Sequence, residues 1–182
     1  MRVSITDEQL RTALASLDSN QSFAETVARM ESGGEPHDMV RTMAAYPPIL
    51  EAMESLGHSV YPGGVLPREL QERIILQSSI ANACQFCTQS HLDIARSLGM
   101  GDAPAEALQH PEQLPPAHRA ALAYADAIRA DSNRISDGQF DELRSHFDDA
   151  QIVELTFLIG YINMLNWFNN ALQVQYRGEL SA

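Results

Sequence analysis

The chain has 182 residues, a mass of 20.1 kDa and a hydrophobic share of 45 %, and its 24 acidic residues outweigh 12 basic ones, all arginine, for a formal charge of −12. That length suits one compact domain over residues 1–182, with a core that needs no disulfide or metal staple. A surface this acidic repels phosphate backbones and anionic membranes, and no stretch reaches the roughly 18 apolar residues of a membrane span, so neither nucleic acid nor membrane is an expected partner. The opening residues lack the apolar run of a signal peptide, and a cytoplasmic location is expected.

Helix signals fill the chain and no strand pattern persists, so the fold class is all-α. Thr6 and Gln9 have the spacing of a capping box, with Leu10, Leu14 and Leu17 behind them on one face. A second helix is expected over 23–31, closed by Gly33-Gly34. A third, around Met39 and Met43, is interrupted by Pro47-Pro48, and a short fourth covers 49–56. Residues 1–40 form a helical arm to which the sequence assigns no role. Tyr61-Pro62-Gly63-Gly64 is the clearest break.

Beyond it, 66–99 reads as a hairpin of two helices, 67–81 and 83–98, closed by Gly99 and Gly101. Pro115-Pro116 opens a long helix, Ser136 caps another, and Asp148-Asp149 starts a last one reaching about residue 174. That last helix is apolar on most faces, so it lies either at the centre or between subunits.

The only two cysteines form Cys84-Gln85-Phe86-Cys87, and His91 follows four residues later. On a helix, positions 84, 87 and 91 fall at about 0°, 300° and 340°, which puts two thiols and an imidazole on one face. A CxxC pair in a cytosolic protein points to redox chemistry or metal rather than to a structural disulfide. The reactive species is the thiolate, which a helix N-terminus or a neighbouring base favours. Asn82 as cap and Cys84 in the first turn would make Cys84 the more acidic thiol, whereas His91 stands beside Cys87. Attack on a peroxide would give a sulfenic acid, which a second thiol one turn away condenses to a disulfide. Glu72, about ten residues before the turn of the hairpin, would lie level with His91 and hold one of its tautomers.

The set Glu72, Cys84-x-x-Cys87 and His91 resembles the AhpD-like alkylhydroperoxidase group of the carboxymuconolactone decarboxylase superfamily. Ser78-Ser79-Ile80-Ala81-Asn82-Ala83, Ala95-Arg96-Ser97-Leu98-Gly99, Ala121-Leu122-Ala123-Tyr124-Ala125, Val153-Glu154-Leu155 and the Asn163–Asn170 stretch add to the likeness, which spans roughly residues 40–175. The resemblance implies an AhpD-like helical bundle that assembles into homo-oligomers, often trimers or hexamers. It implies an organic hydroperoxide as substrate and a dithiol or thioredoxin-like reductant as partner, with no cofactor. Carried over, Cys87 would form the sulfenic acid, Cys84 would resolve it, and Glu72 and His91 would relay protons. One position departs: where well-studied members carry a histidine before the second cysteine, this chain has Phe86.

The other polar residues have plainer readings. Asn163, Asn166 and Asn170 share a helical face and suit interhelical hydrogen bonding. Glu154 is expected to pair with an arginine. Trp167 and Phe168 suit core or subunit contacts, His118 and His146 the surface, and His37, His58 and His110 loops. The competing functions are a superfamily lyase, which would leave the CxxC pair without a task, and a dithiol–disulfide exchanger without peroxidase activity. Two more are a metal module, poorly served by three ligands on one rigid face, and a non-catalytic assembly protein.

Overall fold

The computed structural model describes residues 1–101 and 103–178. Among them no strand occurs, and nine α-helices follow one another: α1 (Asp7–Ala15), α2 (Ala24–Glu31), α3 (Asp38–Met43), α4 (Pro47–Val60), α5 (Arg68–Ala81), α6 (Gln85–Ser97), α7 (Pro116–Asp131), α8 (Asp137–Arg144) and α9 (Asp149–Leu172). The fold is therefore all-α. No helix among these residues is long and apolar enough to cross a membrane.

Local signals set most of the boundaries. Thr6, Ser136 and Asp148 each close a capping box with a glutamine three residues on, so α1, α8 and α9 begin where their side chains satisfy orphan amides. Gly99, in the left-handed region at φ 76°, follows α6. The prolines 47 and 48 behave differently from expectation. They occupy the first positions of α4, where no amide is required, and start the helix that they were expected to interrupt. The short fourth helix is thereby extended, and His58 lies on it, bonded to Glu54 at 2.6 Å, rather than in a loop.

The core runs without a gap from Leu10 on α1 to Val174 beyond α9. At its centre α5 packs against α6, α7 and α9. Leu70, Ile74, Ile75 and Leu76 of α5 and Leu155, Leu158, Ile159 and Ile162 of α9 are all buried there. Helix α9 is not buried all round. Val153, Phe157, Met164 and Trp167 are exposed along one side, Trp167 at 65 %. The N-terminal arm is tied down: Arg2 donates to the carbonyls of Leu172 and Ala171, and Arg41 on α3 bonds the Ile5 carbonyl and pairs with Asp7 at 2.6 Å.

Glu154 does not pair with an arginine. Its carboxylate accepts from the amides of Val65 and Leu66 and from Gln71 Nε2. The reason is local: the loop after Gly64 leaves two amides without helical partners, and Glu154 is the acceptor facing them. Gly64, at φ 96°, lies so close to that carboxylate that a Cβ would overlap it.

The turn between α5 and α6 bears most directly on the site. Asn82 caps the C-terminus of α5, Ala83 turns left-handed at φ 50°, and Cys84 N–H returns to the Ser79 carbonyl while Ala83 N–H returns to Ile80. This is a Schellman ending with alanine at the position that glycine usually fills. Ala83→Gly should therefore raise unfolding stability by roughly 1 kcal/mol, read from urea melts; an unchanged or lowered stability would contradict the strained turn.

Candidate active site

The Schellman turn delivers Cys84 straight to the start of α6. Cys84 is itself the N-cap, and its sulfur accepts from the Cys87 amide at 3.4 Å. The expectation that Asn82 caps α6, with Cys84 inside the first turn, is thus corrected. Asn82 belongs to the end of α5, and its side chain donates to Asn163 at 2.6 Å and Asn166 at 2.9 Å on α9. Asn170 returns a bond to the Asn82 carbonyl. The asparagine face of α9 therefore clamps the turn that carries the cysteines, as interhelical bonding requires.

Both thiols are buried, Cys84 at 1 % exposure and Cys87 at 3 %, and both are free. Their acidities diverge. The thiol of Cys84 keeps its proton and donates it to Cys87, which together with burial pushes Cys84 well above the ordinary thiol range. The same bond pulls Cys87 down from 9.0 to about 7; burial opposes this, and the amides of Asn169 and Asn166 add to it. Asn169 Nδ2 lies 3.3 Å from Cys87 Sγ. The acidic thiol is thus Cys87. The hydrogen bond from the N-cap sulfur to the second thiol acts opposite to the helix-dipole expectation for Cys84.

Glu72, on α5, is fully buried. Its Oε2 lies 2.8 Å from His91 Nδ1, as the hairpin geometry anticipates. Its Oε1 accepts from the Tyr61 hydroxyl at 2.6 Å and pairs with Arg68 Nη2 at 2.9 Å. Arg68 also donates to the Tyr61 oxygen at 2.6 Å and covers the Tyr61 ring at 3.9 Å. Tyr61 Oη stands 3.2 Å from His91 Nδ1. Burial, then the Glu72 charge, pushes the Tyr61 phenol far above its usual range, so it acts as a donor here. A carboxylate at Nδ1 fixes that nitrogen as the protonated one and leaves Nε2 as the base.

The structure brings all four expected residues to one region: Cys87 and His91 line a common cavity of about 230 Å³, Glu72 stands behind His91, and Cys84 stands behind Cys87. The cavity wall is almost wholly apolar, with Met39, Val40, Ile94, Ile162 and Leu165 in it. His37, expected as a loop residue, is half-buried and lines it too, because α3 closes over that side. Among the described residues no three His, Cys, Asp or Glu side chains converge as a metal ion would need.

Three residues of the site escaped the sequence reading. Arg68 was legible, since it stands one helical turn before Glu72. Asn169 continues the stripe of Ile162 and Leu165, and an amide in an apolar stripe is a usable signal. Tyr61 carried none, being one aromatic at a glycine-rich break.

The carboxymuconolactone decarboxylase family matches residues 47–130. A crystal structure of an Agrobacterium tumefaciens protein of unknown function, a candidate AhpD antioxidant-defence protein, is 30 % identical, with a TM-score of 0.67 over 75 % of this chain and 96 % of that one. An uncharacterised peroxidase-related protein with an AhpD core, from Ralstonia eutropha, superimposes at a TM-score of 0.78 over 98 % of this chain and 93 % of its own, at 23 % identity. The debrominase Bmp8, solved with 2,3,4-tribromopyrrole, reaches 0.73 over 98 % and 92 %, at 21 % identity. The last two likenesses speak for the fold alone. With the helical hairpin, the buried glutamate and the paired thiols in place, the chain belongs to the AhpD-like group of the carboxymuconolactone decarboxylase superfamily.

Proposed function

We propose that the protein is a thiol-dependent peroxidase that reduces organic hydroperoxides through Cys87 and Cys84. The observation that carries this reading is one acidic thiol, Cys87 at about 7, on the wall of an apolar cavity with its protonated partner behind it. A thiol made more acidic in this way carries more thiolate at neutral pH than an ordinary cysteine, and the thiolate is the nucleophile.

The thiolate of Cys87 attacks the terminal oxygen of ROOH. An S–O bond forms, the O–O bond breaks, and RO⁻ leaves as the alcohol with the proton that His91 Nε2 has taken from the Cys87 thiol. Glu72 stabilises the imidazolium that supplies this proton, and Tyr61 and Arg68 hold Glu72 in place. Cys84 sulfur then attacks the sulfenic acid of Cys87, a disulfide forms, and water leaves with the Cys84 proton. A dithiol or thioredoxin-like donor restores both thiols. Phe86 removes one relay residue, and the Tyr61–Glu72–Arg68 cluster keeps His91 oriented without it. The exposed apolar side of α9 (Val153, Phe157, Met164, Trp167) supports assembly into homo-oligomers. A lyase would leave the thiol pair idle.

Cumene hydroperoxide should be consumed with dithiothreitol as donor, and Cys87→Ser should abolish turnover. Cys84→Ser should stop after one turnover with a sulfenic acid that dimedone traps on Cys87. The ligand of the debrominase neighbour, 2,3,4-tribromopyrrole, is the comparison substrate; debromination without peroxide turnover would replace this reading. Asn169→Ala removes a donor to the thiolate and so raises the pKa of Cys87. The alkylation rate of Cys87 at pH 7 should then fall by about three- to tenfold and recover near pH 9. Unchanged alkylation at pH 7 would contradict the assigned contact.

A further inference from the structure

The two cysteines face different cavities. Cys87 lines the apolar cavity of about 230 Å³ and Cys84 does not; Cys84 lines an open groove of about 720 Å³ and Cys87 does not. Phe86 and Asn169 line both and so form the partition between them. The groove lies between the start of α6 and the segment after α9. Its polar lining is uncharged (Gln85, Gln89, Asn170, Gln173, Gln175), and it continues along Val174 into a further concavity of about 410 Å³.

We infer that oxidant and reductant reach the cysteine pair from opposite sides: the hydroperoxide meets Cys87 in the apolar cavity, and a slender, uncharged dithiol meets Cys84 in the glutamine-lined groove. This rests on the peroxidase reading for the oxidising side alone. The groove defines its occupant. Cys84 is only 1 % exposed at the floor, so a narrow thiol arm reaches it and a broad protein surface does not. The uncharged lining offers hydrogen bonds to amides and hydroxyls, and a chain of charge −12 disfavours an anionic thiol such as glutathione.

The direction of attack follows from the chemistry of the pair. A reductant thiolate in the groove attacks Cys84 sulfur. A bond forms between reductant and Cys84, the Cys84–Cys87 bond breaks, and the electron pair leaves on Cys87. Lower-pKa thiols leave faster, and Cys87 is the more acidic of the two, so this attack expels the better leaving group and regenerates the peroxide-reactive thiolate. The second thiol of the reductant then attacks its own sulfur in the mixed disulfide. Cys84 departs and takes up a proton, and the reductant leaves as a cyclic disulfide.

The test measures the half-reactions separately on the full chain. The disulfide is formed with diamide, so its reduction by dithiothreitol is followed without any peroxide; oxidation of the reduced protein by cumene hydroperoxide is followed in a second experiment. Gln89→Trp and Gln175→Trp narrow the groove at two independent points, and Ile94→Trp fills the apolar cavity; thermal melts confirm that each folds. Each groove variant should slow disulfide reduction at least about tenfold more than it slows oxidation, and Ile94→Trp should do the reverse. Dithiothreitol should reduce the disulfide at least about tenfold faster than glutathione or thioredoxin at equal thiol concentration. Reduction at the wild-type rate in both groove variants, or slowed equally by Ile94→Trp, overturns the two-sided arrangement. Faster reduction by thioredoxin or glutathione overturns the occupant. If the wild type does not react with the hydroperoxide, the peroxidase reading fails, and the diamide experiment still decides the groove.

Discussion

A fully buried carboxylate is costly unless every lone pair is answered, and Glu72 is the group around which the site is assembled. Its answers come from three stretches of chain: Tyr61 from the loop after α4, Arg68 from the first turn of α5, and His91 from α6. Meeting that demand fixes how α6 lies against α5 and how the loop approaches both. Glu154 performs the same service one layer out, holding the amides of residues 65 and 66 that follow Tyr61. The position of the His91 ring is therefore a consequence of satisfying Glu72, and it would stay set if the chemistry at Cys87 were removed.

The cysteine pair depends on a second constraint, the left-handed turn at Ala83. It makes one residue, Cys84, both the last partner of α5 and the cap of α6. A sulfur in that place accepts the amide of Cys87 and donates its own proton to the sulfur of Cys87. The acidity difference within the pair thus comes from the hydrogen bond that the capping geometry sets up between the sulfurs, and Asn169 from α9 reinforces it. The same geometry turns the two sulfurs toward different cavities. Phe86, with Asn169, stands in the wall between the two cavities.

Much of this was legible in the sequence. The capping boxes at Thr6, Ser136 and Asp148 give their helix starts directly, because a short polar side chain and a glutamine three residues on leave few other conformations. The Glu72–His91 contact followed from counting residues on either side of a hairpin. What stayed hidden depended on non-local geometry. The turn at Ala83 reads as helix, since alanine is the best helix former and disguises a position that glycine usually fills. Tyr61 reaches Glu72 through the path of a loop, which no periodicity encodes. Glu154 looks like half of an ion pair until the unpaired amides of a distant loop are known. Residues 1–40 carry ordinary amphipathic signals, and only the packed chain places α3 on the rim of the cavity.

The central claim is that a single acidic thiol, Cys87, reacts with hydroperoxide while Cys84 holds its proton until the second step. Single-turnover oxidation of the reduced wild-type protein by cumene hydroperoxide, followed by stopped flow from pH 5 to 10, tests it most directly. The account predicts one dithiol oxidised per chain, at a rate that rises through a single midpoint near pH 7 and then levels off. No oxidation at any pH, or a rate that rises only above pH 9, would contradict it.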